Sequence, residues 1–568
     1  MFKKTRFSRL SVVFSLLVVL STFTTAFRPS PFQSVKRPAL DQAGGPTRPQ
    51  DEQAALLPPP YDGPQHNPYT VLTSAISELE NFEQSRELPR NVQEMISQSR
   101  RQAQAALEHF ISLNADLKKM LDEIQKSVRM LGLARRFVSD RAMSDELQRQ
   151  QETLAQAARM VAVGILDRAA AAGVDRLVII KAQRFLAQGD LKVGQGQYGP
   201  AVKLFGDMLF TTNYLVFDIN RFEQNIRDTF MPQTMGFAYA INFKGQLKRA
   251  GGYNTTRFLP DMVAPANNEY SEYNIASVSK IITTATALKI MQEKNISVDA
   301  SISPYLPADW VQGAGIANLT FRDLFTHKSG LGGNQNGAYD FNSLRNYIAQ
   351  GIQPADKGIY VYQNANLAMF RILIPMIVEP PCADCQPYTD EGIAATYSLI
   401  VRCEVLRPMG LTDPACASSP QLFPQQQYQL LAYKFPHDYA TPGYAFGNWT
   451  LIAGGGGWYF SARQLAQFLA YLRYDNAILS PQTRATMNFG FLGWNPPDVW
   501  GWASGAFGTY YSHGGDLDMS NGGIDTCIQS YPNDIQAVLL INSVKAGNYP
   551  VYQCTALKNA YEDAWVSK

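Results

Sequence analysis

Hydrophobic positions change period along this chain. From about residue 69 to 228 they recur at helical spacing. Leu107, Phe110, Leu117, Leu121, Ile124, Val128 and Leu131 follow one another at intervals of three, four or seven. That heptad-like seam predicts a long helix. Alanine-rich segments follow, as in ETLAQAARMVAVGILDRAAAAG. Then KAQRFLAQGDLKVGQGQYGPAVKLFGDMLF reads as two helices joined at a glycine-rich turn. The expected unit over 69–228 is an all-α bundle with its apolar stripes turned inward.

At about 229 the texture changes. MGFAYAINFKGQLKRAGGYN gives two short strand-like runs around Lys244-Gly245. Glycine and aromatics then become frequent, and strand-like runs alternate with helical ones to the end. Residues 229–568 are expected to form a second domain of α/β or α+β character. Ahead of both, residues 27–68 are dense in proline and glycine without an apolar period, which reads as an extended linker. Residues 1–26 carry Lys3, Lys4, Arg6 and Arg9, then a short apolar run, then Thr24-Thr25-Ala26. This is the pattern of an export signal removed on maturation. The apolar run is too short for a confident membrane helix, and no later segment is long enough to span a bilayer. A secreted or periplasmic protein is expected, with no stable membrane span after cleavage.

Composition narrows the class. Hydrophobic residues make up 46% of the 568 and charged residues 17%. That excludes disordered and fibrous chains. A formal net charge of +2 gives no reason to expect a nucleic-acid partner. All six cysteines lie between Cys382 and Cys554. Export permits disulfides, and short loops favour Cys382–Cys385, Cys403–Cys416 and Cys527–Cys554.

Several chemistries lose their sequence basis. There is no H-E-x-x-H, no G-x-S-x-G elbow and no P-loop, and the five histidines are scattered. Gly194–Gly199 spells G-x-G-x-x-G but follows no strand. One stretch stands out: Ser277-Val278-Ser279-Lys280, the chain's single S-x-x-K. Ile281, Ile282, Ala285, Leu288 and Met291 continue at helical spacing, so Ser277 sits at or near a first helical turn. A spacing of three puts Ser277 and Lys280 on one face. Free amides at the helix start can steady an oxyanion. A desolvated lysine has its pKa pushed down and can accept the serine proton. An ordinary helix start carrying a lysine would look the same in isolation.

Other pieces fall in order along the chain. Tyr362 and Asn364 form a Tyr-x-Asn before an apolar helical run. His513-Gly514-Gly515 stands at the edge of a strand. DLFTHKSGLGG ends in the turn Ser329-Gly330-Leu331, and AGGGGWYFSARQLAQFLAYL is a glycine run opening into a helix after Ser461. This ordered set resembles the serine β-lactamase-like family, which includes class C β-lactamases, DD-peptidases and esterase relatives, over about residues 229–568. The resemblance implies an α+β fold: a three-layer sandwich with an antiparallel sheet and a helical lobe bearing Tyr362. It implies an acyl-enzyme on Ser277, with Lys280 as proton partner and Tyr362 as proton shuttle. Acting as phenolate near neutral pH, Tyr362 needs a neighbouring cation, a part that Lys280 can fill. Asn364 would hold Lys280 or a substrate amide. His513, Gly514, Gly515 and the Asp516 amide would line the cleft, the amide as second oxyanion donor. Neither metal nor cofactor is implied. His513 stands where the family's third motif has lysine, so strong binding of a substrate carboxylate is not expected. The expected activity is hydrolysis of an ester, amide or D-amino-acid peptide bond in a small-molecule or peptide substrate. A true β-lactamase or penicillin-binding DD-peptidase is the alternative. An inactive scaffold that binds partners, or itself, through the helical domain is another.

Overall fold

The N-terminal half is built from helices α1 (Pro68–Gln84), α2 (Arg90–Ile111), α3 (Leu117–Arg135), α4 (Arg141–Ala171), α5 (Arg176–Gly194), α6 (Tyr198–Asp207) and α7 (Ile219–Phe230). The structure, a computed structural model, describes residues 67–84, 88–262, 265–334, 337–378, 389–545 and 552–568. The expected export signal, nearly all of the expected linker and the Cys382–Cys385 pair lie outside the described residues.

The seam is buried as expected, apart from a half-buried Leu117, but it is not one long helix. The chain breaks at Ser112–Asp116, where the Asp116 carboxylate accepts the Lys119 amide at 3.0 Å and caps α3. Leu107 and Phe110 belong to α2; Leu121, Ile124, Val128 and Leu131 belong to α3. The two helices face each other, and Ser99 and Ser127 hydroxyls meet between them at 2.8 Å. Two facing stripes can keep one period across a tight turn, so spacing alone did not register the reversal. The glycine-rich turn between α5 and α6 falls where the sequence placed it.

The second half is organised on one sheet with strands β1 (Phe237–Phe243), β2 (Gln246–Tyr253), β3 (Tyr433–Phe435), β4 (Tyr511–Met519), β5 (Gly522–Ser530), β6 (Ile535–Ile541) and β7 (Ser543–Lys545). The order is β7-β3-β5-β6-β1-β2, and β4 pairs along the length of β5. β1 and β2 turn over at Lys244-Gly245, both with positive φ, as a two-residue hairpin requires. The sheet is antiparallel as expected except at one short edge pair, where β7 runs parallel to β3. Parallel pairing joins segments far apart in the chain, so no hairpin signal announces it.

β1 and β6 read as continuous apolar runs because both faces of the sheet are covered. Ala238, Ala240, Val538 and Leu540 enter one core, together with Leu465, Phe468 and Leu469 of α10, defined below. Phe237, Tyr239, Ile241, Leu539 and Ile541 enter the other, with Phe222 of α7 and Leu557 and Tyr561 from the C-terminal helix. The result is a three-layer sandwich. Between β2 and β3 the chain forms a helical lobe that includes Phe341–Gln350, Phe370–Val378 and Asp390–Ile400. Four helices matter below: α8 (Ser279–Lys294), α9 (Asn364–Ala368), α10 (Ala462–Tyr474) and α11 (Gln553–Glu562). Cys403–Cys416 and Cys527–Cys554 are bonded as the short loops suggested, the latter tying β5 to α11.

The helical half is held against the sandwich by specific polar contacts. Arg473 of α10 donates to the Leu113 carbonyl at 2.8 Å, and Tyr511 of β4 donates to the Ile111 carbonyl. Leu215–Phe217 pairs with Trp565–Ser567, and Asn225 of α7 donates to the Ala560 carbonyl at 2.9 Å.

Candidate active site

Ser277 lies in a single 3-10 turn, Ala276–Val278, that runs directly into α8. Ala276 has φ of 46°, an unfavourable conformation for a residue with a side chain, which turns the chain sharply just before the serine. The Asn274 side chain accepts the Ala276 amide at 2.9 Å and supports that turn. Ser277 is half-buried, whereas α8 is buried on every side from Ser279 to Met291. Its buried Thr283, Thr284 and Thr286 hydroxyls donate to helix carbonyls one turn back, which lets a helix with polar residues sit inside the core.

Lys280, one turn on, is 0% exposed. Its Nζ lies 2.8 Å from Ser277 Oγ, 2.8 Å from Asn364 Oδ1 and 2.6 Å from the Gly455 carbonyl. Burial holds the amine well below the usual lysine range. Gly455 reaches it because the glycine run 454–457 passes the start of α8. There Trp458 accepts the Ile275 amide at 2.8 Å, and the Ser279 hydroxyl accepts the Trp458 amide at 3.1 Å.

Tyr362 completes the group. Its phenol is close enough to the Ser277 hydroxyl for that group to bear on its pKa, and Lys280 Nζ lies 5.0 Å from its ring centroid. Burial pushes the phenol above its usual range, opposed by the neighbouring Ser277 hydroxyl. Asn364 does not cap the helix it opens: Gln363 takes the N-cap position, and the Asn364 amide oxygen faces Lys280.

His513 sits on β4, buried, with its ring 6.3 Å from that of Tyr362. Its Nδ1–H donates to the Gly514 carbonyl at 2.6 Å, which leaves Nε2 as an acceptor. Burial first, and the Lys280 charge second, push its pKa down to about 3. The glycines beside it have a structural reason. A Cβ on Gly515 would stand 2.4 Å from Thr526 Oγ1 and 2.8 Å from the Ile275 carbonyl, and one on Gly514 would stand 2.3 Å from the Tyr552 hydroxyl. Without side chains, β4 can run flush against the Ser277 turn. Asp516 follows on the same strand in register with Asp525, and desolvation pushes its carboxyl up to about 6.

Sequence reasoning missed His327. Its ring stacks on Tyr362 at 4.6 Å with 29° between planes. Its Nδ1 accepts the Gln363 amide at 3.1 Å and the Asn366 side-chain amide at 3.3 Å. Burial, then the Lys280 and His513 charges, hold it well below its usual pKa. Ser329 donates to Asn366 Oδ1 at 2.5 Å, so the Ser329-Gly330 turn braces the segment that carries Tyr362 and Asn364. The signal lay in DLFTHKSGLGG, which reads as a turn when only its local residues are considered.

A stability prediction arises here. In the unfolded chain His513 binds a proton below about pH 6.5; in the fold it does so only below about 3. Between those values the unfolded state carries the extra proton, so stability falls as pH drops from about 6.5 toward 3. His513→Asn is expected to flatten that part of a melting-temperature-versus-pH curve. An unaltered slope would mean that His513 is solvated in the native state.

An α-β-α sandwich with Ser-x-x-Lys opening a buried central helix defines the structural class. A sequence model of the Beta-lactamase family matches residues 234–552, and the chain belongs to that family. Helices α1–α7 precede the matched region. Among solved structures the chain is similar to FmtA from Staphylococcus aureus, at 15% identity over 61% of this chain and 88% of that one, with a TM-score of 0.45. It is also similar to a class C β-lactamase from Rhodobacter sphaeroides, at 15% identity over 61% and 98%, TM-score 0.44. A D-amino acid amidase from Ochrobactrum anthropi matches at 15% identity over 61% and 96%, TM-score 0.44.

Proposed function

We propose that this chain is an exported serine hydrolase that cleaves an ester, amide or D-amino-acid peptide bond through an acyl-enzyme on Ser277. The observation that carries the reading is the contact set of Lys280. Asn364 Oδ1 and the Gly455 carbonyl can only accept hydrogen bonds. A neutral amine has two N–H groups, and those two partners take both. Its lone pair is then left for the Ser277 hydroxyl.

The steps follow from that arrangement. Ser277 Oγ attacks the substrate carbonyl carbon as its proton passes to Lys280 Nζ. The bond to the leaving group breaks, Tyr362 gives its phenolic proton to the departing atom, and Lys280 restores that proton. Water then releases the acyl group by the reverse proton route. Burial favours the neutral forms of both amine and phenol. The pair therefore works as amine and phenol, and the ammonium–phenolate pairing expected from sequence is disfavoured by desolvation of both charges. The Ser277 and Asp516 amides are the proposed oxyanion donors. His513, neutral above about pH 3, supplies no fixed cation for a substrate carboxylate, which supports uncharged esters and amides as substrates. Two disulfides support export.

The test is covalent labelling of the purified chain with a fluorophosphonate, read by mass spectrometry. A single adduct on the peptide carrying Ser277, absent from Ser277→Ala, is the expected result. An unlabelled protein, or equal labelling of the variant, would favour the scaffold reading.

A further inference from the structure

Tyr362 stands on residues 359–363, which form neither helix nor strand before α9 begins at Asn364. Such a stretch has no ladder of its own, so its backbone groups are paired, and its shape set, by other segments. Here the partners converge on one residue. The His327 carbonyl accepts the Val361 amide at 2.9 Å, and His327 Nδ1 accepts the Gln363 amide at 3.1 Å. Val361 and Gln363 flank Tyr362, so main chain and side chain of one histidine hold the residues on either side of it. The same ring stacks on the Tyr362 ring at 4.6 Å. Next to it, the Lys328 carbonyl accepts the Gly358 amide at 2.8 Å.

His327 has φ of 55°. A left-handed backbone is costly for a residue with a side chain and persists where surrounding contacts over-determine it. In this case it lets the carbonyl and the ring reach the same segment. The ring is itself fixed. Asn366 of α9 donates its side-chain amide to Nδ1 at 3.3 Å, Asn366 Oδ1 accepts the Ser329 hydroxyl at 2.5 Å, and Ser329 Oγ accepts the Leu331 amide at 3.1 Å. Nδ1 therefore faces two N–H groups, and the ring proton belongs on Nε2. An imidazolium would set N–H against N–H.

We propose that His327 is a positioning residue for the proton shuttle: it clamps residues 361–363 so that the Tyr362 phenol stays within reach of Ser277. The proposal rests on the hydrolase reading above and adds a residue to it. His327 acts through Tyr362 and takes no part in the bond changes.

The test is steady-state turnover of p-nitroacetanilide and p-nitrophenyl acetate by the full-length chain and its variants. His327→Phe keeps a ring for the stack and removes the acceptor. It is expected to lower kcat on the anilide about thirtyfold, since misplacing a group by about 1 Å costs up to about a hundredfold. The loss on the ester should be smaller, with KM for both substrates little changed. His327→Asn offers an amide oxygen near the place of Nδ1 and tolerates positive φ, so it should recover most of the lost kcat. Added to Tyr362→Phe, His327→Phe should cost little more, because the hydroxyl it places is already gone. Unchanged kcat, equal losses on both substrates, an effect on KM alone, no recovery with Asn, or full additivity with Tyr362→Phe overturns the proposal. Should His327→Phe fail to fold, or the anilide resist turnover, ¹⁵N NMR of the histidine-labelled unmodified chain decides. The His327 signals, assigned by their loss in His327→Asn, should show a bare Nδ1 and a proton on Nε2; a protonated Nδ1 overturns the clamp. Fluorophosphonate labelling separates the two claims. A labelled chain whose kinetics ignore His327 overturns the positioning role alone; an unlabelled, inactive chain overturns the hydrolase reading and this role with it.

Discussion

Lys280→Met is expected to slow acylation of Ser277 by about a thousandfold, within the range that positioned general bases contribute. Methionine keeps the apolar stem in the buried slot of α8 but has no lone pair basic enough for the serine proton. Burst kinetics with p-nitrophenyl acetate measure the step directly. In the unmodified chain the acylation rate should rise with pH as Lys280 loses its proton, with a midpoint well below the usual lysine value of 10.5. The direction follows from burial: desolvation disfavours the ammonium form, so the reactive amine is populated at lower pH. The Met variant should lose that limb. It removes the donor that Asn364 Oδ1 and the Gly455 carbonyl share in the unmodified chain, so folding is checked by circular dichroism. Combining Lys280→Met with Ser277→Ala should cost no more than Ser277→Ala alone, because the two act as a unit. Acylation that falls by less than about fivefold would remove Lys280 from the mechanism.

Tyr362→Phe is expected to lower kcat by about a hundredfold on an amide and by distinctly less on a nitrophenyl ester. The phenol neighbours Ser277 and is held protonated by burial, which suits it to protonate a departing amine. Nitrophenolate leaves without help, so it should feel the loss less. Phenylalanine preserves the stack on His327 and the contact with Trp500, which separates the hydroxyl from the ring. Parallel measurement of the two substrates checks this. Equal losses on both would assign Tyr362 a packing role.

Taken alone, the sequence determined what local spacing can encode. Ser277 and Lys280 lie one helical turn apart whatever surrounds them. Lys244-Gly245 marks a hairpin because its glycine takes positive φ without steric cost. Cys403–Cys416 and Cys527–Cys554 close short loops. The expected convergence of Tyr362 and Asn364 on Ser277 and Lys280 came from motif order, and the geometry brings all four together. Tertiary structure alone decided what depends on distant segments meeting. It placed the Gly455 carbonyl on Lys280 and stacked His327 on Tyr362. It also reversed the chain within the α2–α3 seam and laid β7 parallel to β3. The physical reason is the same in each case. Periodicity reports which face of an element is buried, whereas a carbonyl, a stacked ring or a strand partner is chosen by packing between elements that share no local pattern.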